Sequence, residues 1–291
     1  MSRIVILATT VVLLSGNVSL AQTQPFGRIC QTSIPYGNNT DAGAFVKVNG
    51  ISLHYEKYGQ GGMPLLLIHG NGGRIVGLEC QIAHFSTSRR VIIADSRDHG
   101  LSGSTGNRLT YEQIADDLAA LLTELKIDKA DVLGHSDGGI VALLLAIRHP
   151  QRVNRVVSSA PNLRPDTTAV RQEFLESVRQ QSAEAVSMLA KGDASRDWKR
   201  RKRQLDMMLE EPHISHEDLQ RISAPTLIIG ADSDAMPLSH FVEIYEHIPQ
   251  AQLFIIPGAT HLMHRLEQEL YNLVASRFLD RPFTRPVSSF Q

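Results

Sequence analysis

The stretch VLGHSDGGI, Val132 to Ile140, sets one small hydroxyl among three glycines. An apolar run, ADVL from Ala130, precedes it, and a second, IVALLLAI to Ile147, follows. Glycine is favoured where backbone must take an unusual conformation or let another group lie against it. A strand, a cramped Gly-x-Ser-x-Gly corner and a helix would together push Ser136 out of the fold into open space. That is the pattern of a nucleophile elbow. Five residues alone are a weak signal, but the apolar flanks supply the strand and the helix that the elbow requires.

Working outward, short apolar runs alternate with helical patterns. MPLLLIHG from Met63 and RVIIAD from Arg90 read as strands buried on both faces. VNRVVSS from Val153, APTLIIG from Ala224 and AQLFIIPG from Ala251 continue the series. Thr110 and Gln113 have capping-box spacing, and Ile114, Leu118, Leu121, Leu122 and Leu125 recur at helical intervals. The helix after the elbow is expected over about Gly138 to His149, stopping at Pro150. This alternation predicts an α/β fold, a mostly parallel sheet with helices on both faces. Ahead of it, AFVKV and ISLHYE flank Asn49-Gly50, a hairpin signal. From about 162 to 222 no buried strand is visible. The spacing of Val170, Phe174 and Val178 there predicts a helical cap inserted into a core domain spanning 44–279.

Residues 1–21 have the layout of a signal peptide: MSR, the apolar IVILATTVVLL, then small Ser19 and Ala21. The apolar run is too short to span a bilayer comfortably. The mature protein is therefore expected to be exported, cleaved near Ala21 and without stable membrane insertion. Residues 22–43 read as a surface arm and 280–291 as a loose tail. Export would place Cys30 and Cys80 in an oxidising compartment, where they either pair or remain separate thiols with Cys80 buried on a helix. Apolar content of 42% and charge of 20% fit a soluble globular chain, and a net charge of −1 gives no reason to expect nucleic acid.

A serine hydroxyl needs an adjacent base, itself oriented by a carboxylate. In an elbow protein the chain order is Ser, then Asp or Glu, then His. Downstream of Ser136, TLIIGADSDAMP offers Asp232 and Asp234, and FIIPGATH offers His261. Both segments follow parallel strands at their carboxyl ends, where sites of open α/β sheets gather. His69, His99 and His135 sit beside glycines near the same face, and His149 closes a helix. His213 and His216 lack further ligands, so no metal or cofactor is expected. Oxyanion donors are expected from the backbone N–H of Asp137 and from the Gly-rich loop at Asn71.

As a set, LLLIHGNGG, IIADSRDHGLSGS, LGHSDGG, LIIGADSDAMP and IIPGATH resemble the successive motifs of the α/β-hydrolase superfamily, over about 44–279. The resemblance implies Ser136 as nucleophile, His261 as base, and Asn71 with Asp137 as oxyanion-hole amides. For the acid it implies Asp234, which precedes Ala235-Met236-Pro237. Asp232 stays the alternative, because Gly230 stands one position earlier than the usual G-x-x-D spacing. A second departure is Asp98, where the family's D-x-R-G-H-G turn carries glycine; Asp tolerates left-handed backbone better than most residues. Epoxide hydrolases and haloalkane dehalogenases of this superfamily carry Asp at the position of Ser136. The resemblance thus implies acyl transfer to water on a small or medium carboxylic ester. Lactone or carbon–carbon cleavage would use the same triad, and a non-catalytic binding protein is the rival from another class. In the cap, RDWKRRKRQLDMMLEE, Arg196 to Glu211, packs six cations around Trp198. It reads as a solvated face with Trp198, Leu205 and Met208 turned inward, or as a cationic rim attracting anions.

Overall fold

The computed structural model describes residues 30 and 32–284. The signal-peptide segment 1–21, most of the arm up to residue 31, and residues 285–291 of the tail lie outside that range. Eight strands form one sheet: β1 (Gly43–Val48), β2 (Ile51–Tyr58), β3 (Leu65–Ile68), β4 (Val91–Ala94), β5 (Ala130–His135), β6 (Val153–Ser159), β7 (Thr226–Ser233) and β8 (Ala251–Thr260). Their order is β1-β2-β4-β3-β5-β6-β7-β8. The β1/β2 and β2/β4 pairs are antiparallel and every other pair is parallel. The mostly parallel sheet expected from the strand–helix rhythm is what the chain forms. Asn49 and Gly50 turn the β1/β2 hairpin with φ of 42° and 81°, the positive pair that matches strand twist.

The central strands β3, β4 and β5 are buried along their whole length, which requires cover on both faces. Helices α1 (Glu79–Phe85), α2 (Tyr111–Glu124), α3 (Asp137–Arg148), α7 (Leu238–His247), α8 (Met263–Leu266) and α9 (Gln268–Asp280) surround them. The capping box at the start of α2 forms: the Thr110 side chain accepts from the Gln113 N–H, and Gln113 reaches back to the Thr110 N–H. Cys80 is buried on α1 and both cysteines are thiols. Burial, then the hydrogen bond to the Cys30 thiol, pushes the Cys80 thiol up to about 12.

Between β6 and β7 the chain builds a cap from α4 (Gln172–Ala190) and α5 (Trp198–Glu210), shorter than the expected 162–222 because α6 (His216–Gln220) packs against α7 and α3, with Leu219 in the core of the body. Val178 and Ala185 of α4 pack with Trp198 and Leu205 of α5 in a small core of their own. The cationic run on α5 differs from a solvated face. Arg203 donates two 2.8 Å hydrogen bonds to the Asp98 carboxylate, and Gln204 Nε2 donates to the Asp98 carbonyl at 2.6 Å. Arg200 donates to the Gly100 carbonyl, and Lys202 pairs with Asp206. The run is clamped to the loop after β4. Asp98 itself has φ of 60°, so it takes the left-handed backbone that a glycine would have supplied.

Candidate active site

The corner at Ser136 shows why glycines crowd it. A Cβ on Gly134 would lie 1.9 Å from the Gly138 carbonyl oxygen, and one on Gly138 would lie 2.1 Å from the Ile68 carbonyl oxygen. Strand, helix and neighbouring strand therefore meet at distances only glycine permits. Ser136, between β5 and α3, is held at φ 58° and ψ −124°, a strained backbone of the kind concentrated at functional sites. Its N–H is fixed by the Ser159 carbonyl at 2.9 Å. The side chain is left half-buried, facing a cavity.

The ends of β7 and β8 bring the other groups in. His261, directly after β8, places Nε2 2.9 Å from Ser136 Oγ. Its Nδ1 lies 2.8 Å from Oδ1 of Asp234, directly after β7. An ionised carboxylate only accepts, so Nδ1 carries the hydrogen and Nε2 is free to accept the serine proton. Asp234 is buried at 2% exposure, whereas Asp232 is exposed and accepts from the Gly258 N–H at 2.8 Å. Ser136, His261 and Asp234 thus form one chain of contacts, while Asp232 ties β7 to the turn in β8.

The two expected oxyanion donors, Asn71 and Asp137, are joined through their side chains. Asp137 is the first residue of α3, so its N–H has no acceptor within the helix. Neither that N–H nor the Asn71 N–H is used in a backbone hydrogen bond among the described residues. Asn71's side chain fixes the loop, donating to Asp137 Oδ2 at 2.9 Å and to the Gln204 carbonyl at 3.0 Å. Burial pushes the Asp137 carboxyl up to about 6, against the hydrogen bonds from Asn71 and Tyr111.

The other histidines near this face stand outside the chain of contacts from Asp234 to Ser136. His69 accepts from the Ser96 N–H at 3.0 Å and donates to the Gly70 carbonyl at 2.8 Å, and burial lowers its pKa. His99 and His264 are pushed down to about 3, chiefly by burial. Burial likewise holds the His135 pKa well below its ordinary value, and its ring centroid lies 3.7 Å from that of His264 at a tilt of 33°. His216 pairs with Glu243 and stacks on His247. Among the described residues no group of three or more His, Cys, Asp or Glu could hold a metal.

Ser136 opens on a cavity of about 390 Å³, walled on the cap side by Phe174, Val178, Leu205 and Met208 and reached by Arg201 and Gln181. Sequence reasoning placed Leu205 and Met208 inward but did not separate Arg201 from its charged neighbours. The signal was present. Arg201, Leu205 and Met208 are spaced i, i+4, i+7, so they share one face of α5.

Residues 63–209, about half of the chain, match the family profile described as the alpha/beta hydrolase fold. The chain is an α/β hydrolase. Among its relatives is the serine hydrolase BPHL of Homo sapiens, 27% identical over 250 residues, covering 81% of this chain and 86% of that protein. Another is 3-oxoadipate enol-lactonase 2 of Acinetobacter baylyi, 25% identical over 252 residues, covering 79% and 94%. Among solved structures, a thermophilic esterase from Thermogutta terrifontis with malate bound superposes with a TM-score of 0.69 at 25% identity, covering 83% and 99%. This α/β hydrolase shares its fold with enzymes named as a lactonase and as an esterase.

Proposed function

We propose that this α/β hydrolase cleaves a small or medium carboxylic ester through an acyl-serine intermediate. The observation that carries the reading is the continuous Asp234–His261–Ser136 contact at 2.8 and 2.9 Å. As Ser136 Oγ attacks the carbonyl carbon, His261 Nε2 takes its proton and Asp234 stabilises the imidazolium. Negative charge gathers on the carbonyl oxygen, within reach of the free N–H groups of Asn71 and Asp137. His261 returns the proton to the departing alkoxide, then draws one from water, which releases the acid and restores the serine. A lactone passes through the same steps with its alcohol still attached. The similarity to a named enol-lactonase over 94% of that protein favours it as the second reading.

The test is labelling with a fluorophosphonate, mapping of the modified residue, and turnover of a 4-nitrophenyl ester by Ser136→Ala. Labelling at Ser136 and loss of turnover by at least about 10⁴-fold are expected. Undiminished turnover in the variant overturns the reading. A panel pairing open esters with lactones of equal carbon number then separates the two substrate classes. On the leader-like layout of residues 1–21 we place this chemistry outside the cytoplasm. A mature protein still beginning at Met1 refutes that placement.

A further inference from the structure

Four of the six cations in the run from Arg196 to Arg203 lie partly buried on α5, and three of those four have carboxylate partners. Arg200 and Arg203 face Asp98, and Lys202 pairs with Asp206. Arg201 is the exception. Nη1 donates to Asn71 Oδ1 at 3.0 Å and Nη2 to Gln181 Oε1 at 2.6 Å, both neutral acceptors. Among the described residues no carboxylate lies within ion-pair distance of it. A guanidinium has five N–H donors, and two are used here. The same side chain lines the cavity in front of Ser136, whose lining contains Arg201 and Arg265 and no Asp or Glu. Arg265 has Glu79 at 3.6 Å to offset its charge; Arg201 has nothing equivalent. The charges that act on it are Arg196, which repels it, and Asp137, which attracts it but is reached only through the Asn71 side chain rather than by direct contact.

A cation held in a partly dry pocket without a counter-ion is unfavourable unless an anion arrives. Arginine's planar fork is suited to a carboxylate, which it can hold by two parallel hydrogen bonds. The hydrogen bond to Asn71 links that fork to the oxyanion-hole loop, so an anion bound there would sit in the same cavity as the attacked carbonyl. We propose that Arg201 is the receptor for a free carboxylate on the substrate, which makes the substrate class an ester or lactone that carries a second, ionised carboxyl group. The proposal rests on the acyl-serine reading for its reaction but not for its binding step.

Two esters differing by one charge test it: mono(4-nitrophenyl) adipate and its methyl ester, assayed with the full chain, Arg201→Gln and Arg201→Lys. The wild type is expected to prefer the charged ester by about tenfold or more in kcat/KM, the scale of a hydrogen-bonded ion pair. Arg201→Gln should collapse that preference mainly through KM, and Arg201→Lys should restore part of it. In parallel, calorimetry with adipate on Ser136→Ala reads binding without turnover. Binding lost on adding Arg201→Gln supports the receptor even if neither ester is cleaved, in which case the acyl-transfer reading falls alone. Cleavage of the neutral ester with no charge preference, or a preference unchanged in Arg201→Gln, overturns the receptor and leaves the hydrolase reading standing.

Discussion

Replacing Asp98 by Asn tests how the cap is held to the body. The Asp98 carboxylate is 4% exposed and accepts two 2.8 Å hydrogen bonds from Arg203, itself 20% exposed. Breaking a fully buried pair costs about 3–5 kcal/mol because the remaining charge is stranded. Here water can reach the Arg203 fork, so about 2 kcal/mol is the appropriate scale. Asn retains tolerance for φ of 60°, so Asp98→Asn isolates the charge. Asp98→Ala adds a left-handed penalty of about 1 kcal/mol. Burial raises the Asp98 pKa, but the hydrogen bonds from Arg203 and Ser104 and the charges of Arg203 and Arg200 outweigh it. The carboxyl is thereby held below its ordinary value. A depressed pKa contributes stability above the unfolded value, near 4, that is lost as pH falls through the folded one. Urea unfolding at pH 7 should therefore rank wild type above Asp98→Asn above Asp98→Ala, with the first gap closing as pH falls through the lowered folded value. A double-mutant cycle with Arg203→Gln should show coupling of about 1–2 kcal/mol. Coupling near zero, or a gap indifferent to pH, refutes the clamp.

Two other substitutions address the site and its corner. Asp234→Asn should lower kcat on a 4-nitrophenyl ester by about 10⁴-fold through the wrong imidazole tautomer, while Asp232→Asn should cost less than about tenfold. The reverse ranking would reassign the acid. Gly138→Ala drives a Cβ to 2.1 Å from the Ile68 carbonyl oxygen, where only backbone could yield. A loss of about 3 kcal/mol or more in unfolding free energy is expected, against a near-neutral Gly77→Ala, which meets nothing within 4 Å. Equal stability of the two variants would show that the corner relaxes.

The layout of the sheet was legible because its signals are local. Apolar runs of four to eight residues, the Asn49-Gly50 turn and the Thr110 capping box each declare themselves within a few residues. Ser136 and His261 were legible for a related reason, since each ends a strand at a marked turn. The choice between Asp232 and Asp234 was not. They stand two apart, which in a regular strand points both the same way, and a register shift between Ala231 and Ser233 breaks that equivalence. The setting of Arg201 and Arg203 was hidden differently. Their neighbours Asn71 and Asp98 are more than 100 positions away, on loops of the body. No helical periodicity encodes a partner on another element, so a clamped helix and a solvated one read alike.

The cap departs after β6 and returns at β7, and these strands are immediate neighbours, paired from Val156↔Thr226 to Ser159↔Ile229. The insertion's own ends meet before that return, where the Ile214 N–H donates to the Leu163 carbonyl at 2.9 Å, with Ser136 encoded upstream and Asp234 and His261 downstream. The insertion and the positions of Ser136, Asp234 and His261 are accordingly encoded in separate stretches of this chain. An insertion borrowed from another member could be grafted between about residues 163 and 214, provided that it also replaces the Gln204 carbonyl that holds the Asn71 side chain. Any such graft must bring its own cation for Asp98, or that carboxylate is orphaned at the seam.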